Sequence, residues 1–398
     1  MPLDLDKVLG QVGGMVARLK AERAERNQRL QGALEILRNQ PADTTALARK
    51  IKSSRTTWLV AGPVDRFTRR HQPPPTPDEF SVLATDGSHV AIDRHRSPRC
   101  YLINIGSVAL HYGSAPGAVL DSFPNLYSGE EELVIAPDNG KGREQPLDGN
   151  LIGIKRGVSE CGQLARLARG LPRERPGLAL MDGTLILWGL DTYPDFVREA
   201  LLERGFLSSL AEIEQLNTSG QPVPVASYIS FTNSTEVVNA LRVSLCPREI
   251  LDTDYCDKCQ SRECEAVAGI RDRELFLNLL GPGERSGLFT SGSRFVEKYY
   301  GQLIYFFYLR ADDEIARLEV PRWVATDEKR LGLVHSLVLD QCRRGHGYPV
   351  ALSEAHEQAV VTGADRENFW QLVEAQLIEE HLPSAHSAKS RSKRTRWV

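Results

Sequence analysis

Residues 82–93 read "VLATDGSHVAID", and residues 178–189 read "LALMDGTLILWG". Each apolar run delivers one aspartate, Asp86 or Asp182, into a Gly-Ser or Gly-Thr turn. Strand interiors disfavour Asp, whereas turns accept it because its carboxylate can bond the backbone two residues on. One such ending is an ordinary turn. Two in one chain raise the question of whether the strands lie side by side and bring their acids together.

The flanking sequence sets the order of elements. "FSVLATDGSHVAIDRHRSPRCYLINIGSVALHYG" divides into expected strands over 80–86, 89–95 and 100–111, a meander by proximity. A polar loop, "SGEEELVIAPDNGKGREQPLDGN", follows. In "IGIKRGVSECGQLARLARGL", Ile154, Val158, Cys161, Leu164, Leu167 and Ala168 mark an amphipathic helix. The run "GLALMDGTLILWG" is apolar almost throughout, as expected of a strand covered on both faces. Beyond it come a helix over 195–216, a strand and helix in "VPVASYISFTNSTEVVNALRVSL", strands over 303–309 and 319–325, and helices over 327–343 and 364–380. Upstream, helical spacing over 4–39 and a capped helix in "PADTTALARKIKSS", with Thr44 or Thr45 near the cap, lead into the connector "HQPPPTPDEF". The expected division is a helical region over 1–70, an α/β domain over 78–380 and a basic, unstructured tail over 383–398.

Composition narrows the class. The chain has 398 residues, 41% hydrophobic and 25% charged, and the net charge of −3 gives no global basic signature for nucleic acid. Positive charge gathers instead in the tail, where Lys389, Arg391, Lys393, Arg394 and Arg396 occur without an acid, a pattern suited to phosphate contact. No apolar run approaches the roughly 20 residues of a membrane span, and the charged N-terminal segment lacks a signal-peptide core. Seven cysteines, an odd number, argue against a disulfide framework. A cytoplasmic protein without membrane partners is the expectation.

Three antiparallel strands, a helix and a strand returning beside the first is the order of the ribonuclease H-like fold. There the first and fourth strands are adjacent and parallel, which would set Asp86 beside Asp182. Two carboxylates a few ångströms apart repel unless a cation neutralises both. Oxygen ligands suit Mg2+ or Mn2+, and two such ions about 3.5–4 Å apart can activate water and stabilise the leaving oxygen of a phosphodiester. Glu160, on the helix leading to the second aspartate, is the natural third acid. Glu174 lies nearer in sequence but in a loop between prolines.

Five motifs in order, "ATDGS", "MDGTL", "YISFTNSTEVVNALR", "DRELFLNLLGPGERSGLF" and "GYPVALSEAH", make residues 78–375 resemble the NurA nuclease family. The resemblance implies a ribonuclease H-like core and a manganese-dependent deoxyribonuclease, a 5'-to-3' exonuclease with single-strand endonuclease activity. It further implies a homodimer that works on single- and double-stranded DNA with a HerA-type hexameric ATPase in end resection at double-strand breaks. The family's strand aspartates and helix glutamate map onto Asp86, Asp182 and Glu160. Its C-terminal tyrosine and histidine map onto Tyr348 and His356 of "GHGYPVALSEAH". An imidazole there can ligate metal or steady a phosphate, and a tyrosine can orient a phosphate or stack on a base.

Outside those motifs, "CPREILDTDYCDKCQSREC" places Cys246, Cys256, Cys259 and Cys264 within nineteen residues. Their thiolates could hold a structural Zn2+ or iron–sulfur cluster, or remain free in a loop. The glycine-rich "LLGPGERSGLFTSGSRF" lacks the Lys-Ser/Thr spacing of a phosphate-binding loop, so ATP-driven motion would come from a partner. The competing class is a non-catalytic DNA-end or helicase-binding adaptor of the same fold.

Overall fold

The computed structural model describes residues 4–383 apart from 41, 42, 94, 139, 141, 302 and 303. The basic tail from Ser384 onward lies outside the described residues. The chain divides into two compact units, Met1–Pro73 with Ile229–Arg322, and Pro74–Tyr228 with Trp323–Val398. The first boundary falls in the proline run of the 71–80 connector.

The unit built from 74–228 and 323–398 carries a mixed sheet in the order Val225–Ile229, Gly177–Asp182, Phe80–Val90, Tyr101–Tyr112, Gly117–Tyr127. The last three form an antiparallel meander. Strand 177–182 runs parallel to strand 80–90 on one side and to strand 225–229 on the other. Helix Gly149–Arg169 supplies the crossover between the meander and strand 177–182. Leu178, Ala179 and Leu180 are fully buried, the double-sided cover that an unbroken apolar run anticipates.

Two strand boundaries differ from the sequence reading. The expected strands 80–86 and 89–95 are one strand, Phe80–Val90, that continues through Asp86-Gly87. The third meander strand is Gly117–Tyr127, whose residues are exposed on both faces up to Leu126. With no buried face it has no apolar alternation to betray it. Val119, Leu120, Phe123 and Leu126 all meet solvent there.

The unit built from 1–73 and 229–322 carries an antiparallel ladder of Ala61–Pro63, Phe289–Ser291, Ile304–Ala311 and Glu314–Pro321. Its core joins Phe67, Leu241, Phe276, Phe289, Phe306 and Tyr308 with Ala33, Leu34 and Leu37 from the end of helix Leu5–Arg38. "EVPRWVA" was expected to be strand throughout, but the strand stops at Pro321 and a short helix, Arg322–Ala325, follows. In sequence, "LIYFFYLR" and the long N-terminal helix are more apolar than a lone catalytic domain needs, which reads as surface for a partner copy. For "LIYFFYLR" that reading is corrected: Phe306, Phe307, Tyr308 and Leu309 are buried within the chain. The beginning of helix 5–38 behaves oppositely, with Leu5 and Leu9 each 69% exposed and Val12, Val16 and Leu19 also open to solvent.

Candidate active site

Strand 80–90 pairs residue by residue with strand 101–112, and Asp86 stands opposite Gly106. On its other edge the parallel ladder with strand 177–182 ends at Thr85 and Met181. The next residue along each strand is an aspartate. In-register parallel neighbours point to the same face from strands about 4.8 Å apart, so Asp86 and Asp182 share one face. Asp182 terminates its strand, whereas Asp86 sits within a strand at the point where that neighbour drops away.

Helix Val350–Ala359 covers this face. It approaches so closely at Gly106 that a Cβ there would lie 2.5 Å from the Ala359 nitrogen, closer still to the Ala355 carbonyl oxygen. Only glycine allows that contact. Asn104 fastens the end of the helix by donating to the Gln358 and Ala359 carbonyls at 3.2 and 3.0 Å. The result sets His356 over the acid, with Nδ1 2.7 Å from Asp86 Oδ2. The imidazole side chain is 60% exposed.

Tyr348 arrives from the turn after helix Glu328–Arg344. That turn is tight: a Cβ on Gly345 would collide with the Tyr348 carbonyl, and Gly347 takes φ +107°. The Tyr348 ring meets Tyr228 edge-on, with centroids 5.5 Å apart. Its hydroxyl donates to Asp182 Oδ1 at 3.0 Å. Burial, with the neighbouring Asp182 charge, pushes the phenol far up, so it stays a donor. Asp182 meets solvent, yet surrounding protein pushes its carboxyl up. The Tyr348 bond opposes that shift and the Asp86 charge adds to it.

Glu160 lies on helix 149–169, whose backbone is tied beside the acid by the Thr85 hydroxyl donating to the Glu160 carbonyl at 3.1 Å. Its carboxylate enters from the opposite face. Alternation turns Gly87 away from Asp86, and a Cβ on Gly87 would fall 2.5 Å from Glu160 Oε1 and 2.8 Å from Arg156 Cγ. Arg156 Nε lies 3.0 Å from Glu160 Oε1, one helical turn apart, but neither atom makes a directed hydrogen bond. Burial pushes the Glu160 carboxyl up to about 7, with Asp86 and Asp182 adding and Arg156 opposing. Glu174 stands exposed in its turn.

The fold thus places Asp86, Asp182, His356 and Tyr348 on one face, with Glu160 reaching the strand past Gly87. Among the described residues no three His, Cys, Asp or Glu side chains already converge as a metal cage. The donor chemistry nevertheless fits a hard divalent cation. Two in-register carboxylates stand beside a third, Glu160, whose carboxyl burial pushes up despite the Arg156 guanidinium. The Asp86 charge pushes both Glu160 and Asp182 further up, a crowding that a cation would relieve. Sequence reading missed Arg156, Thr85 and Gly106. Only the first carried a signal, its four-residue spacing from Glu160 on one helix.

Residues 80–361 match the family model described as the NurA domain, so the chain belongs to the NurA family. Among solved structures it is similar to the NurA nuclease from Sulfolobus solfataricus, at 13% identity over 93% of this chain and 98% of that one, with a TM-score of 0.46. Drosophila Piwi matches at 10% identity over 67% of this chain and 27% of that one, with a TM-score of 0.25. No curated protein matches. No helix among the described residues is long and apolar enough to cross a membrane.

Proposed function

We propose that the chain is a Mn2+- or Mg2+-dependent deoxyribonuclease with a ribonuclease H-like core, acting on DNA ends in double-strand break repair. The observation that carries this is the placement of Asp86 and Asp182 as neighbours in register on one face. A bound divalent ion would lower the pKa of its water and offset phosphate charge. Asp86 and Asp182 would hold it from one face and Glu160 would reach it past Gly87, which would relieve the crowding of the three acids. His356, now on Asp86, would be a further ligand as neutral imidazole or, protonated, a donor to a phosphate oxygen. Tyr348, protonated and pivoting from Asp182, orients a second oxygen.

Family membership supports the finer parts: exonucleolytic 5'-to-3' cleavage with single-strand endonuclease activity, a homodimer, and a HerA-type hexameric translocase as the source of work. The exposed stripe of Leu5, Leu9, Val12, Val16 and Leu19 is the docking surface offered to that translocase. Removing residues 1–40 would strip Ala33, Leu34 and Leu37 from the core, so the informative truncation ends before Arg26, which pairs with Glu274 at 2.6 Å. Loss of co-elution on that truncation is expected, and unchanged co-elution contradicts the docking assignment alone.

The direct test is digestion of end-labelled single- and double-stranded DNA with Mn2+. Asp86→Asn and Asp182→Asn should each lower cleavage by at least about a hundredfold while leaving the fold intact. Cleavage at the wild-type rate by either variant would overturn the site. A wild-type chain that binds DNA and translocase without cutting would be the adaptor instead.

A further inference from the structure

The cysteine segment is unusual in what it lacks. From Cys246 to Cys264 the only buried side chain is Leu251, and regular structure is limited to two short 3-10 turns, Thr253–Lys258 and Glu263–Val267. The segment is nevertheless pinned. Lys50 Nζ donates to the Cys246 carbonyl at 2.5 Å. Arg55 bridges the backbone on both sides of Asp252, its N–H donating to Leu251 O at 2.8 Å and its carbonyl accepting from Thr253 at 3.0 Å. Past the last cysteine, Val267 and Ile270 rejoin the core. A nineteen-residue excursion that buries one apolar side chain gains little from the hydrophobic effect, and short irregular segments of this kind are held by covalent or metal staples.

All four thiols line a single small cavity of about 70 Å3. None is in a disulfide. Arg242 and Arg248 line the same cavity, and Arg242 Nε is buried there without an acceptor although the guanidinium stacks on Trp58 at 4.5 Å and bonds Asn239 Oδ1 at 3.3 Å. An unpartnered buried N–H on a residue that lines a cavity of thiols is a donor open to a metal-bound thiolate sulfur, and two arginines offset the negative charge that four thiolates leave around a divalent ion.

We propose that Cys246, Cys256, Cys259 and Cys264 bind one structural metal centre through four thiolates, with Arg242 as the donor to its sulfurs. The shared chemistry is tetrathiolate ligation, satisfied by one zinc ion or by an iron–sulfur cluster. The thiols surround the cavity without yet meeting at ligand distance. Binding draws the Cys256–Cys259 turn, closed by the Cys259 N–H to the Cys256 carbonyl at 3.0 Å, inward over the cavity and releases the thiol protons to solvent. Four protein ligands leave no open position, so the centre is a staple and takes no part in catalysis. The proposal is independent of the nuclease reading.

The test uses the full chain purified without oxygen and dialysed against a weak chelator that strips hard cations. Metal analysis should return about one zinc per chain, or about two or four irons with the visible absorption of an iron–sulfur cluster, and the results separate the sources. Cys256, exposed in the free segment, should resist a maleimide until the metal is removed. Cys256→Ser/Cys259→Ser should lose at least about nine-tenths of that metal, while Asp86→Asn/Asp182→Asn keeps all of it. Metal-free wild-type protein whose Cys256 alkylates at the rate of a free thiol, or a disulfide among the four by mass, would overturn the proposal.

Discussion

The two units each hold a group of three carboxylates, one with Arg317 and one with Arg156 among them, and they treat them differently. In the unit of 1–73 and 229–322, Arg317 lies sealed between Glu236 and Glu319 at 2.6 and 3.0 Å. Nearby, Asp272 accepts from the Val237 and Val238 backbone at 3.1 and 2.8 Å, the Ser234 hydroxyl at 3.0 Å and the Tyr308 hydroxyl at 2.6 Å. Burial still pushes the Asp272 carboxyl up, with four donors opposing it at the start of helix Glu236–Leu245. In the other unit Asp86 and Asp182 receive one side-chain partner each, from His356 and Tyr348, on a face that solvent reaches. The first set is completed by the chain itself. The second is left to be completed by something that arrives.

That contrast breaks first at Arg317. Burial alone would pull its guanidinium down, but Glu236 and Glu319 outweigh it and raise its affinity for the proton. Arg317→Ala leaves two buried acids without their cation and should destabilise the protein by about 3–5 kcal/mol, read by urea denaturation. A loss below about 1 kcal/mol would mean the network is as open as the acidic face.

Glu160 gives the next largest effect, and it depends on pH. Its folded pKa of about 7 lies above the ordinary 4.5, so the native state holds a proton that the unfolded chain has released. Metal-free stability therefore falls as pH rises from about 4.5 to about 7, by up to about 3 kcal/mol at 1.36 kcal/mol per unit. Glu160→Gln should flatten that slope, and saturating Mn2+ should do the same in the wild type. A slope unchanged by both would show that the Glu160 carboxyl is not held up by its burial.

The sequence carried the acidic face further than it carried the strands around it. Asp182 was legible because an apolar run ends on it. Asp86-Gly87 resembles the same ending, yet Gly87 is there to admit Glu160 and Arg156, and the strand passes through. A turn signal and a close-approach glycine look alike until the neighbour is known. Strand 117–127, exposed on both faces, had no pattern to read. The Arg317 network was hidden because "EIARLEVP" alternates like any edge strand, while Arg317 and Glu319 are buried. His356 and Tyr348 were visible only through family resemblance; the contact of Gly106 with helix 350–359 that positions His356 joins residues about 250 apart in sequence, as the Asn104 bonds to that helix do.

On the proposed reading the acidic face stands open for a divalent cation. That reading is tested most directly by calorimetric titration of the wild-type chain with Mn2+ beside Asp86→Asn/Asp182→Asn, each first checked for an unchanged unfolding transition. Saturable binding is expected in the wild type and none in the double variant, with wild-type stability rising by RT ln(1 + [Mn2+]/Kd). Equal binding by both proteins would contradict it.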